Sequence, residues 1–113
     1  MNRLECLEAA IDAVSRRPDQ YGPPEENFER IANLWRAHLS NKWGREVYLD
    51  ATDVALMMAL LKVARLECNP HHSDSWVDLA GYAATGAEVA DDLERAWSTD
   101  WASNMNLHGE ELV

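Results

Sequence analysis

The sequence predicts an all-α protein, a bundle of four main helices. Three observations point there. Apolar residues recur at three-and-four spacing through residues 3–15, from Phe28 to Leu39 and again after Ser73, the period of a helix face. A nearly unbroken apolar run, Val54 to Leu61, supplies a central segment, and clusters of Gly, Pro and Asn interrupt the chain between these stretches. One helical domain over residues 1–96 is expected, followed by a partly ordered acidic tail over 97–113.

Each element has a local cause. Leu4, Leu7, Ala10 or Ile11 and Val14 form the inner stripe of a first helix that Arg16, Arg17 and Pro18 should end. Asp19 to Pro24 reads as a turn, with Pro24 suited to a first helical position because its missing N–H is not needed there. Glu25 and Glu26 follow in the first turn, where the helix dipole favours negative charge. This second helix should run to about Leu39 and bury Phe28, Ile31, Ala32, Leu34 or Trp35, and Leu39. Residues 41–50 read as a loop. Thr52 or Asp50 can cap a third helix from Asp53 to about Leu66, apolar on nearly all sides at its start and therefore expected to be the buried centre of the bundle. Asn69, Pro70, His71 and His72 break it. Ser73 opens a fourth helix to about Arg95, whose Ala80, Gly81, Ala83, Ala84, Gly86 and Ala87 let helix axes approach closely.

Composition narrows the function classes. The 113 residues are 47% hydrophobic and 27% charged, which is globular, and five Trp promise large buried contacts. Twenty acidic against ten basic residues give a net charge of −10, which argues against direct nucleic-acid binding. The acidity fits a carboxylate site for a divalent cation, a surface for a basic partner, or simply a solvated exterior. Cys6 and Cys68 sit among apolar neighbours and are expected to be buried free thiols. No signal architecture opens the chain and no run reaches the ~18 apolar residues of a membrane span, so a cytoplasmic setting without membrane association is expected.

Four clusters could carry chemistry. Glu25, Glu26 and Glu29 share a helix face at spacings of three and four, suited to Mg²⁺ through oxygen ligands or merely to the helix dipole. Asp74, Asp78 and Tyr82 form a polar stripe on an otherwise apolar segment, and Asp78 beside Trp76, Val77 and Leu79 needs a partner. Lys62 and Arg65 could bind phosphate oxygens or pair internally with Asp78 or the Glu cluster. His71 and His72 lack further ligands at metal-binding spacing. A Gly-rich phosphate loop and a Gly-x-Ser-x-Gly nucleophile motif are both missing from the sequence.

Three blocks resemble an uncharacterised family of small phage and prophage proteins: Tyr21-Gly22-x-Pro24-x-Glu26-Asn27-Phe28, the run Asp53 to Arg65, and Asp74-Ser75-Trp76-Val77-Asp78-Leu79-Ala80-Gly81-Tyr82. The likeness spans roughly residues 5–95. The last block also looks like the MazG-like and nucleotide-modification-associated proteins, all-α nucleoside triphosphate pyrophosphatases. In that family a Glu-x-x-Glu helix and a following Glu-x-x-Asp helix hold Mg²⁺ on the triphosphate. The resemblance places Asp78 at the final Asp and Tyr82 at an aromatic four residues later. Ser75 stands where Glu is expected, with Asp74 beside it, and Lys62-x-x-Arg65 replaces Glu-x-x-Glu with reversed charge.

Two functional expectations follow. In the first, the protein is a MazG-like nucleotide-binding protein or Mg²⁺-dependent (deoxy)nucleoside triphosphate pyrophosphatase. Glu26, Glu29 and Asp78 would hold the metal, Asp78 and Asp74 would be catalytic, and Lys62, Arg65 and Tyr82 would bind substrate. In the second, it is a non-catalytic acidic phage protein that binds and inhibits a host protein. The small residues of the fourth helix and the surplus Trp suit a helical interface, so a homodimer is expected.

Overall fold

In the computed structural model the backbone is described for residues 1–104 and the side chains for 1–16 and 22–95. Four helices and no strands make up the described residues: α1 (Arg3–Tyr21), α2 (Pro24–Trp43), α3 (Ala51–Cys68) and α4 (Ser73–Asn104). α4 is the spine. α3 packs along it most extensively, α1 covers another side of it, and α2 leans mainly on α3.

The termini follow local chemistry with some shifts. α1 continues through the expected stop at Pro18 to Tyr21. Pro24 opens α2 as anticipated, and α2 extends to Trp43, where Gly44 at φ 68° takes the left-handed position and donates its N–H to the Ser40 carbonyl. That conformation costs a side chain about 1–2 kcal/mol, which is why glycine stands there. Ser40 also receives the Val47 N–H at 2.9 Å and so ties the loop of residues 44–50 to α2. Asp50 is the cap of α3: its Oδ1 accepts from the Asp53 N–H at 3.1 Å, and Asp53 Oδ2 accepts from the Asp50 N–H at 2.9 Å. The reciprocal box satisfies two donors of the first turn. α4 runs past the expected end near Arg95 to Asn104, so residues 97–104 are helical; the remainder of the expected tail, 105–113, lies outside the described residues.

The core gathers Phe28 and Ala32 of α2, Ala51, Val54 and Ala55 of α3, and Tyr82 and Val89 of α4, with Ile31, Trp35, Met58 and Ala59 packed around them. Close approach of α3 and α4 rests on small residues. A Cβ placed on Gly86 would meet the Ala55 Cβ at 3.1 Å, tighter than ordinary contact. The small surface of α4 is thus used within the chain at Gly86, and Gly81 faces Val14 of α1.

Several expected burials are not met. α3 buries one face only and leaves Leu56, Met57, Leu60, Leu61 and Val63 exposed, because α2 and α4 cover its opposite side alone. On α1, Ala10 is buried while Leu4, Leu7 and Ile11 are exposed. Leu34 is exposed on α2, Trp43 and Trp76 are exposed, Cys68 is exposed and Cys6 is half-buried.

Candidate functional site

The stripe on α4 divides between core and surface. Asp74 lies exposed in the first turn, whereas Asp78 turns toward α3 and Tyr82 is buried, its ring 6.4 Å from that of Phe28 and tilted by 34°. Lys62 is buried on the inner face of α3, and its Nζ stands 3.0 Å from Asp78 Oδ2. The pair is largely removed from water, with 10% of the Lys62 side chain and 27% of the Asp78 side chain exposed. Of the two bases expected to face Asp78, Lys62 does so, and Arg65 is exposed. The ammonium thus lies against one oxygen of the carboxylate that the sequence offers as a metal ligand.

Ser75 sits three residues before Asp78 and is fully buried, its Oγ 2.7 Å from His72 Nδ1. The Trp76 indole N–H donates to the Pro70 carbonyl at 2.8 Å, and the His71 N–H donates to Asn69 Oδ1. The histidine pair is thereby part of the hydrogen-bonded start of α4. Beside it lies a cleft of about 380 Å³ lined by Met1, Arg3 and Cys6 from the chain start and by Pro70, His71 and Trp76.

The acidic start of α2 belongs to a different cavity. Glu25 and Glu29, one turn apart, line a cleft of about 370 Å³ together with Asn33, Arg36, Tyr48 and Asp92. Its floor is the core itself, through Ala32, Ala51 and Val89. Arg36 places its guanidinium 5.1 Å from the centre of the Tyr48 ring and 3.6 Å from Glu46, so a cation–π contact and an ion pair hold it at the cleft. Asp92 lies 3.3 Å from Arg95 at the opposite wall. Glu26 is exposed, and neither it nor Asp78 lines this cleft. Among the described residues no three His, Cys, Asp or Glu side chains form a group able to hold a metal.

Of the expected metal ligands Glu26, Glu29 and Asp78, Glu29 alone lines this cleft, joined by Glu25 of the same acidic cluster; Arg36, Tyr48 and Asp92 were not among the expected site residues. No spacing in the chain joins them. Tyr48 falls in a run without periodicity, and Asp92 reaches the cleft only because α4 returns alongside α2. No helix of the described residues is long and apolar enough to cross a membrane.

Comparison with known proteins gives consistent relatives. The chain is 48% identical over 83 residues to the Gene 55 protein of Mycobacterium phage L5, covering 74% of this chain and 49% of that protein. It is 33% identical over 85 residues to the Gene 55 protein of Mycobacterium phage D29, covering 75% of this chain and 52% of the relative. The chain therefore spans about half the length of the curated relatives it matches. No solved structure matches it. The family model described as a domain of unknown function, DUF6378, matches residues 5–90, which contain α2, α3, the Lys62–Asp78 pair and the lining of the acidic cleft except Asp92 and Leu93; the chain belongs to this DUF6378 family.

Proposed function

We propose that this chain is a MazG-like nucleotide-binding protein of phage that takes a (deoxy)nucleoside triphosphate together with Mg²⁺ in the cleft between α2, the residue 44–50 loop and α4. The observation that carries the reading is the common lining of that cleft by Glu25, Glu29, Arg36 and Tyr48. Mg²⁺ keeps several waters and commonly takes only one or two protein carboxylates when phosphates supply other oxygens. Glu25 and Glu29 are the residues that would hold it. Bound there, the ion supplies charge neutralisation and polarisation of a phosphoryl oxygen. A chain of net charge −10 needs such a counter-charge before a triphosphate can approach.

The chain's own groups have distinct tasks in this reading. Arg36 offers a planar fork to phosphate oxygens. Tyr48, exposed at the rim, offers a ring face to the base. Asp78 and Lys62 hold α3 against α4 about three helical turns from the cleft, rather than touching substrate. Arg65 and Asp74 remain as exposed groups outside the cleft.

The test is direct. The protein with Mg²⁺ and each nucleoside triphosphate should show a thermal shift with at least one nucleotide, and pyrophosphate release marks hydrolysis. Glu29→Gln should remove the nucleotide-dependent shift, while Asp78→Asn should lower the melting temperature and leave that shift in place. Absence of any shift in the wild-type protein would sink the reading.

A second reading, non-catalytic binding to a host protein with inhibition of it, is favoured by the ammonium at Asp78 and by the acidity of the chain. Complementary charge steers such partners. Binding of a basic host protein in pull-downs should weaken as salt rises, and salt-independent recovery would count against it.

A further inference from the structure

The net charge of −10 is unevenly spread along the chain. Between Glu29 and Asp50 stand four of the ten bases, Arg30, Arg36, Lys42 and Arg45, and one of the twenty acids, Glu46, so this stretch carries +3. It also holds two large aromatic side chains out to solvent, Trp43 at 62% exposure and Tyr48 at 68%. Each has a guanidinium at its ring: Arg45 lies 5.8 Å from the centre of the Trp43 ring and Arg36 lies 5.1 Å from that of Tyr48. We propose that the end of α2 and the residue 44–50 loop form a binding surface for single-stranded nucleic acid, with bases on Trp43 and Tyr48 and phosphates on Arg36, Lys42 and Arg45.

The loop sets the two rings on one side of the helix. Gly44 turns the chain at the end of α2, and the Val47 N–H reaches Ser40 Oγ, so the loop folds back beside the last turns of the helix and brings Tyr48 to Arg36. Positions 36 and 43 are two helical turns apart, hence on one face and about 10 Å from each other along the axis. That distance is roughly three nucleotides at the ~3.4 Å spacing of a stacked strand. A strand running from Tyr48 to Trp43 moves away from Glu25 and Glu29, which precede Arg36 by three and two turns.

Unpaired bases suit this surface because every base has a ring face to stack, and guanidinium groups add cation–π attraction. A duplex keeps its bases stacked on one another and so gains neither ring. At contact range the local bases decide, since acids more than about 8 Å away are screened at physiological salt. Glu46 is the acid within the patch; its carboxylate stands 3.6 Å from Arg36 and is 84% exposed, so a phosphate competes with it for that guanidinium. Total charge speaks against nucleic acid only because it averages over this segregation. The surface goes beyond the cleft reading: it needs no metal, and Lys42, Trp43 and Arg45 lie outside the cleft lining.

Fluorescence anisotropy of a labelled oligothymidylate, titrated with the full chain in EDTA at low salt, tests the proposal. The strand should bind, more weakly as salt rises, and a duplex should bind less well. Trp43→Ala should weaken binding about tenfold with helical circular dichroism preserved, and Trp43→Phe should keep most of the affinity. Lys42→Ala should flatten the slope of log affinity against log salt by about 0.7, the share of one single-strand phosphate. Glu46→Gln should tighten binding about two- to fivefold. Arg65→Ala, at an exposed position on α3, should leave it nearly unchanged. No binding by the wild-type chain at low salt, equal affinity for the duplex, wild-type affinity in Trp43→Ala, or attachment to phosphatidylserine vesicles without binding of the oligonucleotide would each overturn the surface.

Discussion

Lys62 and Asp78 stand 3.0 Å apart, a largely buried ion pair that joins α3 to α4. A buried pair is weak evidence for net stability, but breaking one half is costly because it strands the other charge. Asp78→Leu and Lys62→Met should therefore each destabilise by roughly 3 kcal/mol, the low end of the ~3–5 range, since Asp78 keeps some contact with water. Chemical denaturation checks this, and the double variant Lys62→Met with Asp78→Leu should recover much of the loss. Additive losses in the double variant would show that the pair is not coupled.

The capping box at the start of α3 has its own signature. Asp50→Ala should cost about 1 kcal/mol by removing the acceptor for the Asp53 N–H. Asp50→Ser keeps a capping oxygen and should stay within a few tenths of a kcal/mol of the wild type. Urea midpoints distinguish the two, and equal losses would mean that the cap is not what holds this end of the helix.

The two faces of α3 should respond differently to truncation. Val54 is fully buried, so Val54→Ala should cost roughly 2 kcal/mol through lost methyl burial and the cavity left behind. Leu60→Ala, on the exposed row, should change the stability of the isolated protomer by no more than about 0.5 kcal/mol. Thermal unfolding at low protein concentration compares them, and a large loss at Leu60 under those conditions would place it in the protomer core.

Gly86 and Gly81 lie in the same helix but in different space. Gly86→Val would drive a branched side chain into Ala55 and should cost about 1–3 kcal/mol through overpacking. At Gly81 an added Cβ would meet Val14 at an ordinary 3.6 Å, so Gly81→Ala should stabilise by about 0.5–1 kcal/mol through helix propensity. Melting temperatures should move in opposite directions, and two losses of similar size would refute the difference in packing.

Much of this protein is fixed by local chemistry and could be read without a structure. The helix-forming stretches, a break within Asp19 to Pro24 and another at Asn69 to His72, a cap at Thr52 or Asp50 and the need of Asp78 for a partner all follow from residue type and spacing. So does the pairing candidate Lys62, which lies on the preceding helix. Helix ends were less legible, because Pro18 and the polar residues after Arg95 discourage continuation without forbidding it. The tertiary arrangement decided the rest. An apolar run such as Val54 to Leu61 does not say which side will be covered, and only the placement of α2 and α4 leaves Leu56, Leu60 and Leu61 outside. Likewise Glu29, Arg36, Tyr48 and Asp92 become one cleft through packing of distant segments, whose mutual distance is set by the bundle and not by any local periodicity.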